Sequence, residues 1–547
     1  METHHHPLLS FLLLLLLLPF SSHPLPLSTN NRWIVDSATG QRVKLACANW
    51  PGAAETMLPE GLDRQPLPNI VAAIRQLGFN CVRLTYATYM VTRHAGDRVG
   101  RTFDGLGLGS VKDEIARFNP LVVRMTHLQA FDAVLDELGR QGVMVDIDNH
   151  VSKPMWCCKE KDGNGFFGDA YFDPKEWLLG LTVLARRYVY KPQVIGMGLR
   201  NELRGERQSE ATWRKYVTLA GNAIHVANPN VLIFAGGISY ASVLSFLKKK
   251  PLSTTFGNKL VYESHWYPFT AGPEKVWTEK PLNQLCRAKI DGYVNTTAFS
   301  FTAGGSAAVP LFVGEVGIPG AEVKKSSDNF LSCFATWAAE NDLDWAWWGL
   351  QGGYYFRDNR TGMDEYFGAL SYFWDRPRNP FLLNRLRLMQ LKNQDPTSRV
   401  GKAYLLFHPQ TGDCMINNNL REIYAGHCGR ESSRFLYAGD GSPIMLAGSN
   451  YCLRAGGDGV RVQLTTACNA PESRWWRVSS SKLHLAAKEE KTGEYLCLNR
   501  DSVFTSDVFT RKCVCLVGYE TGCVNGGDLE PTAQWFKLVE TNVLYTN

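Results

Sequence analysis

Past Phe20 the chain lacks any apolar run long enough to cross a bilayer. It also lacks a dominant charge: 58 Lys and Arg against 52 Asp and Glu leave a formal +6 over 547 residues. The only obvious basic run, Lys248-Lys249-Lys250, reads as a solvated loop. Neither a nucleic-acid partner nor, after leader removal, a membrane partner is expected. Metal-ligand spacing is missing too, since Cys157 and Cys158 are adjacent and lack a nearby Cys/His partner set. The glycine-rich stretch Gly96–Gly109 does not follow a strand and open a helix, as a phosphate loop would. It lies in a long polar insertion after the second expected strand and reads as a mobile loop near a site. No metal and no cofactor are expected.

What is present begins with a leader. Leu8–Phe20 is almost wholly apolar and includes seven consecutive leucines, Leu12 to Leu18. It is too short to span a bilayer but has the length of a signal-peptide core, although Lys and Arg are absent before it. Residues 1–27 are read as a signal peptide, with cleavage between Ser21 and Ser28 and secretion to the exterior or cell wall. His4-His5-His6 falls inside the leader. The 14 cysteines suit a secreted chain, because disulfides persist outside the cytosol. Two N-glycosylation sequons occur, Asn295-Thr296-Thr297 and Asn359-Arg360-Thr361. Aromatics make up 12% of the chain, and flat rings serve both cores and carbohydrate platforms.

From about residue 30 to 395 strand-like and helix-like segments alternate. Expected strands are Val43–Asn49, Asn80–Leu84, Val143–Asn149, Val194–Asn201, Val231–Ala235, Leu260–His265, Leu311–Glu315 and Leu343–Trp348. Between the second and third, Met125–Gly142 has helical spacing, with Leu128, Phe131, Leu135 and Leu138 on one face. Eight such units predict an α/β fold, a (β/α)₈ barrel, with a doubly wound sheet as the competitor. Glu202 ends the run VIGMGLRNE and Glu315 ends PLFVGE. Each closes an apolar stretch of strand length, where a barrel opens its site. Two carboxylates flanking one bond are the minimum equipment for glycoside hydrolysis. One must be protonated and the other ionised, so their surroundings must push the two pKa values apart.

Six short runs fall at expected strand ends: Asn80-Cys81-Val82-Arg83, Asp148-Asn149-His150, Asn201-Glu202, His265-Trp266-Tyr267, Gly314-Glu315 and Trp347-Trp348-Gly349. In that order they resemble glycoside hydrolase family 5, the cellulase-type clan of retaining enzymes. The resemblance implies that Glu202 is the acid/base and Glu315 the nucleophile. It implies that Asn201 binds the sugar 2-hydroxyl, that Arg83 keeps Glu315 ionised, and that Tyr267 hydrogen-bonds the nucleophile. His150 and His265 would line the site, and Trp348 would stack under the sugar, with Trp347 as the alternative platform. Leu203 stands where the family usually has proline, a change of loop rigidity more than of chemistry.

Asn393–Ser398 reads as a linker after a last barrel helix at Asn379–Gln390, and residues 28–395 are taken as the catalytic domain. From 401 to 547 the texture changes to short strands and turns, and it repeats: CMINNN at Cys414, CLRAGG at Cys452 and CLNRDS at Cys497. A second cysteine follows each, at Cys428, Cys468 and Cys513, and an aromatic follows at Phe435, Trp475 and Trp535. Repeats of this size cannot each bury a core and must close on one another. The pattern resembles a ricin B-like β-trefoil, a carbohydrate-binding module. Bridges Cys414–Cys428, Cys452–Cys468 and Cys497 with Cys513 or Cys515 are expected, with Cys523 taking the remaining one. The leading expectation is a secreted, endo-acting retaining β-glycosidase whose partner is a cell-wall-type β-linked polysaccharide. A catalytically silent carbohydrate-binding protein and a transglycosylase using the same residues are the alternatives.

Overall fold

A computed structural model describes residues 26–545 except 271, 280, 299–307, 419–421, 431, 501–504 and 517–529. Eight parallel strands close into a barrel. They are β1 (Ala46–Trp50), β2 (Cys81–Ala87), β3 (Met144–Val151), β4 (Val194–Gly198), β5 (Leu232–Gly236), β6 (Leu260–His265), β7 (Leu311–Val316) and β8 (Asp344–Trp347). Each hydrogen-bonds its sequence neighbours, and β8 returns to pair with β1. Each lies within two residues of where an apolar run predicts it at its N-terminal end, save β1, because strands covered on both faces are apolar throughout.

Helices cover the outside: α1 (Leu67–Gln76), α2 (His127–Arg140), α3 (Pro174–Arg187), α4 (Glu210–Ala227), α5 (Leu282–Tyr293), α6 (Lys325–Glu340) and α7 (Pro380–Gln390). In α2, Thr126 and Gln129 form a reciprocal capping box, and Phe131, Val134, Leu135 and Leu138 are buried against the sheet. Fully burying one such side chain contributes roughly 1.5–3 kcal/mol. Between β5 and β6 only short turns of helix occur among the described residues. A disulfide joins α5 to α6 at Cys286–Cys333, and another, Cys47–Cys81, joins β1 to β2 inside the barrel.

The expected leader lies outside the described residues up to 25. Leu27, assigned to that leader, is instead fully buried. It opens a strand, Leu27–Asn30, that pairs with Trp33–Asp36, and with Ile34, Val43 and Leu45 it seals the N-terminal end of the barrel. The folded unit therefore starts before the expected 27/28 boundary. Gly96–Gly109 is likewise not a mobile loop. It folds into helix Val99–Gly105 and the start of Gly109–Phe118, because Val99 and Phe103 are buried. The Phe103 ring meets Tyr355 edge-on at 5.4 Å.

Beyond residue 400 the described chain is almost all β. Each repeat places a disulfide across an antiparallel pair of strands: Cys414–Cys428, Cys452–Cys468 and Cys497–Cys513. Cys515 is also disulfide-bonded; Cys523, its expected partner, lies outside the described residues. The residues just after the first cysteines (Met415, Leu453, Leu498) and the aromatics Phe435, Trp475 and Phe536 meet in one buried cluster. Phe536, not Trp535, is the third repeat's contribution to it.

The stretch expected to be a linker is fastened on both sides. Asn393 is fully buried and accepts from Tyr545 Oη at 2.5 Å. Asp395 N donates to Asn542 Oδ1 at 2.8 Å. Leu405, Phe407, Trp535 and Val539 join the main barrel core, and Lys537 pairs with Glu340 at 2.7 Å. A cleft of about 900 Å³ runs along this seam, lined by Leu77, Phe381, Arg385 and His427 among others and by neither Glu202 nor Glu315.

Candidate active site

Alternation along the strands sends every second side chain inward, and above the apolar floor those residues turn polar. Arg83 on β2, Asp146 and Asp148 on β3, and Glu263 and His265 on β6 are all buried. Arg83 is the hub. Its Nη1 donates to Asn49 Oδ1 at 2.9 Å and Glu315 Oε1 at 3.1 Å. Its Nη2 donates to Asn201 Oδ1 at 2.9 Å and meets Asp148 and Glu263 at 2.9 Å each. A Cβ on Gly314 would lie 2.0 Å from Glu263 Oε1, so glycine there makes room for that carboxylate. Asp146 has neither carboxylate oxygen partnered by a side chain, and burial followed by the charge of Glu263 pushes it well above the usual range.

Glu315 lies at the end of β7 and is held from two directions, by Arg83 and by Tyr267 Oη, which donates to Oε2 at 2.8 Å. Glu202 lies four residues past the end of β4 in a left-handed backbone conformation, φ +40°. Non-glycine residues seldom adopt it, and it clusters at functional positions. Arg204 braces this turn by donating to Glu202 O at 2.8 Å and Lys159 O at 3.0 Å. His265 Nδ1 lies 2.9 Å from Glu202 Oε1 and 3.5 Å from Glu315 Oε2. Ligand atoms of Glu202, Glu315 and His265 all fall within 4.8 Å of one another.

The other expected residues converge here. His150 Nδ1–H donates to Asp148 Oδ2 at 2.7 Å, and the ring stacks on Trp348, ring centroids 5.7 Å apart at 11°. Trp347 is buried with its indole N–H on Phe367 O at 3.1 Å, whereas Trp348 is the one in ring contact with His150. Cys157 and Cys158 do have a histidine partner in space: they form a disulfide whose sulfurs lie within 4.8 Å of a His150 ring nitrogen. Bonded to each other, they offer no thiolate to a metal.

The electrostatics of the site centre on His265. Burial would lower the His265 pKa, but the charge of Glu315 and hydrogen bonds to Glu202 and Glu263 push it up to about 10. Burial raises Glu202, yet the hydrogen bond and charge of His265 outweigh it and hold this carboxyl below its ordinary value. Glu315 is raised by burial and by the charge of Glu202, against His265 and Arg83. His265 thus holds a proton one hydrogen bond from Glu202, and the three groups titrate together rather than singly.

Asn49, Asp148, Glu263 and Arg204 had no role assigned from sequence. The signal was there in the period-two spacing Asp146-x-Asp148-x-His150 and Glu263-x-His265-x-Tyr267, polar groups on the inward face of otherwise apolar strands.

Comparison with known proteins identifies the arrangement. The family model for cellulase (glycosyl hydrolase family 5) matches residues 37–353. A glycosyl hydrolase 5 family protein from Chamaecyparis obtusa is 38% identical over 97% of this chain and 96% of its own. An endoglucanase from Paenibacillus polymyxa is 22% identical over 65% of this chain and 85% of its own. Among solved structures, the catalytic domain of the major endoglucanase from Xanthomonas campestris pv. campestris superposes with a TM-score of 0.53 at 21% identity, over 66% of this chain and 99% of that one.

Proposed function

The chain belongs to glycosyl hydrolase family 5, and from that premise we propose that it is a secreted, endo-acting hydrolase cleaving β-linked glucan with retention of configuration. It is a glycosidase, hydrolysing O-glycosyl bonds. The observation that carries the retaining reading is the approach of Glu202 and Glu315, whose oxygens lie within 4.8 Å with His265 between them. Retaining enzymes keep their carboxyl groups about 5–5.5 Å apart, whereas inverting enzymes need roughly 6.5–9.5 Å to admit a water.

In this reading Glu315 attacks the anomeric carbon and forms a glycosyl ester while the leaving oxygen takes a proton from Glu202. That proton reaches Glu202 from His265 through their 2.9 Å contact, so once it is given up Glu202 is a carboxylate and His265 is neutral. Water then gives a proton to Glu202, which returns it to His265, as the water oxygen attacks the anomeric carbon and Glu315 departs as carboxylate. Arg83 and Tyr267 hold Glu315 in line for attack, and Asn201 binds the sugar 2-hydroxyl. Trp348 is the platform. The all-β region is read as a β-trefoil of the ricin B-like kind, a reading supported by three disulfide-clamped repeats sharing one core. Disulfides throughout support secretion.

The test is product analysis on a panel of glucan, mannan and xylan with the wild type, Glu202→Gln and Glu315→Gln. Cleavage of internal glucan bonds by the wild type alone is expected. Full turnover by Glu315→Gln would refute the assignment.

A further inference from the structure

The disulfide between neighbours Cys157 and Cys158 lies inside the site. Its two sulfurs stand 3.6 and 3.4 Å from the Asn201 amide nitrogen. The other end of that amide is fixed, since Asn201 Oδ1 accepts from Arg83. The amide nitrogen therefore points its hydrogens at two sulfurs, which are weak acceptors, and at His150 Nε2, 3.5 Å away. Neither is an acceptor that a sugar hydroxyl would struggle to displace.

The loop carrying the disulfide is rigidly tied to the turn of Glu202. Arg204, fully buried and paired with Asp162 at 2.6 Å, donates to Lys159 O on one side and Glu202 O on the other. Cys157 packs on Ala53, Ala87 and Val151, while Cys158 is half-exposed. The preceding residue, Trp156, meets Trp348 at 6.3 Å and 60°. One short loop thus supplies an aromatic edge and a sulfur face beside the acid/base carboxylate.

We propose that the Cys157–Cys158 disulfide is a substrate contact: an apolar ledge against which a pyranose ring rests, and a surface that leaves the Asn201 amide uncommitted until a sugar hydroxyl accepts from it. A hydroxyl-bearing pair in the same place would capture the amide, and a smaller pair would withdraw the ledge. This rests on reading Glu202 and Glu315 as the catalytic pair, with the sugar bound beside them.

Affinity for cellotetraose is measured by calorimetry in the Glu315→Gln background, so that binding is read apart from turnover. Cys157→Ala/Cys158→Ala is expected to weaken binding about tenfold, the scale of one lost apolar contact in a pocket. Cys157→Ser/Cys158→Ser is expected to weaken it further, and that extra loss disappears when Asn201→Ala is added. Thermal unfolding identifies any variant that fails to fold. The wild-type fold is tested independently: phosphine reduction of the native protein, followed by maleimide labelling and peptide mapping, should lower affinity in step with labelling at 157 and 158. Equal affinity of folded Cys, Ala and Ser forms, or full affinity with both sulfurs labelled, would overturn the proposal. Retained turnover by Glu315→Gln would instead overturn the catalytic reading and leave the affinity comparison standing.

Discussion

The Nδ1 of His265 lies 2.9 Å from Glu202 Oε1, closer than its 3.5 Å to Glu315 Oε2, so one buried cation serves both carboxylates. It lowers the pKa of each. Replacing it by neutral glutamine removes that influence, and both carboxyls rise. In the proposed double displacement Glu315 attacks as its carboxylate, so the acid limb of kcat/KM for His265→Gln should move to higher pH. A pH profile on a soluble cello-oligosaccharide checks this; an unmoved acid limb would show that His265 does not set the nucleophile's charge.

The same histidine ties stability to pH. Its folded pKa of about 10 lies above the ordinary 6.5. A raised pKa contributes stability that is complete below the unfolded value and lost as pH rises through the folded one. The melting temperature should therefore fall between about pH 6.5 and 10, and fall less steeply in His265→Gln. Calorimetry across that window reads it. Parallel curves for the two proteins would contradict it.

Arg83 holds together groups that cannot stand alone. Removing one partner of a buried ion pair costs about 3–5 kcal/mol, because the remaining charge is left uncompensated. Arg83→Met should lose stability on this scale in denaturant unfolding, with Asp148, Glu263 and Glu315 left facing one another. Arg83→Lys keeps the charge but not the planar fork that reaches Glu315 and Asn201 together, so it should fold and lose turnover.

Much of this was legible in the chain because a covered parallel strand is apolar until it reaches its site. Leu260–His265 has the same bounds in sequence and structure. β4 does not: the apolar run continues through Leu199, but the backbone leaves the sheet at Gly198 to bring Glu202 to its left-handed turn. Cys47–Cys81 depends on strand register, and the meeting of Cys157–Cys158 with His150 on a loop path, neither of which residue spacing encodes. The part His265 plays was not legible, because its ring meets Glu202 and Glu263 only once separate strand ends converge. The polar stretch at Asn393–Ser398 has linker composition, but the Asn393 side chain accepts from Tyr545, the Ser398 hydroxyl donates to Asn542 O, and the Asp395 backbone bonds the Asn542 side chain.

Those contacts give a further expectation. A chain ending at 398 uncovers the barrel surface that Leu405, Phe407, Trp535 and Val539 pack against. It should melt well below the full chain and turn over soluble oligosaccharide only at temperatures where it remains folded. If the barrel alone matched the full chain in melting temperature, the seam would be a contact without energetic weight.

The pair Glu202 and Glu315 makes one stereochemical demand. Proton NMR of a cello-oligosaccharide digest, recorded before mutarotation, reads the anomer first released. With the two carboxylates as close as they are, the β-anomer should appear first. Initial release of the α-anomer would mean inversion and would contradict a covalent intermediate on Glu315.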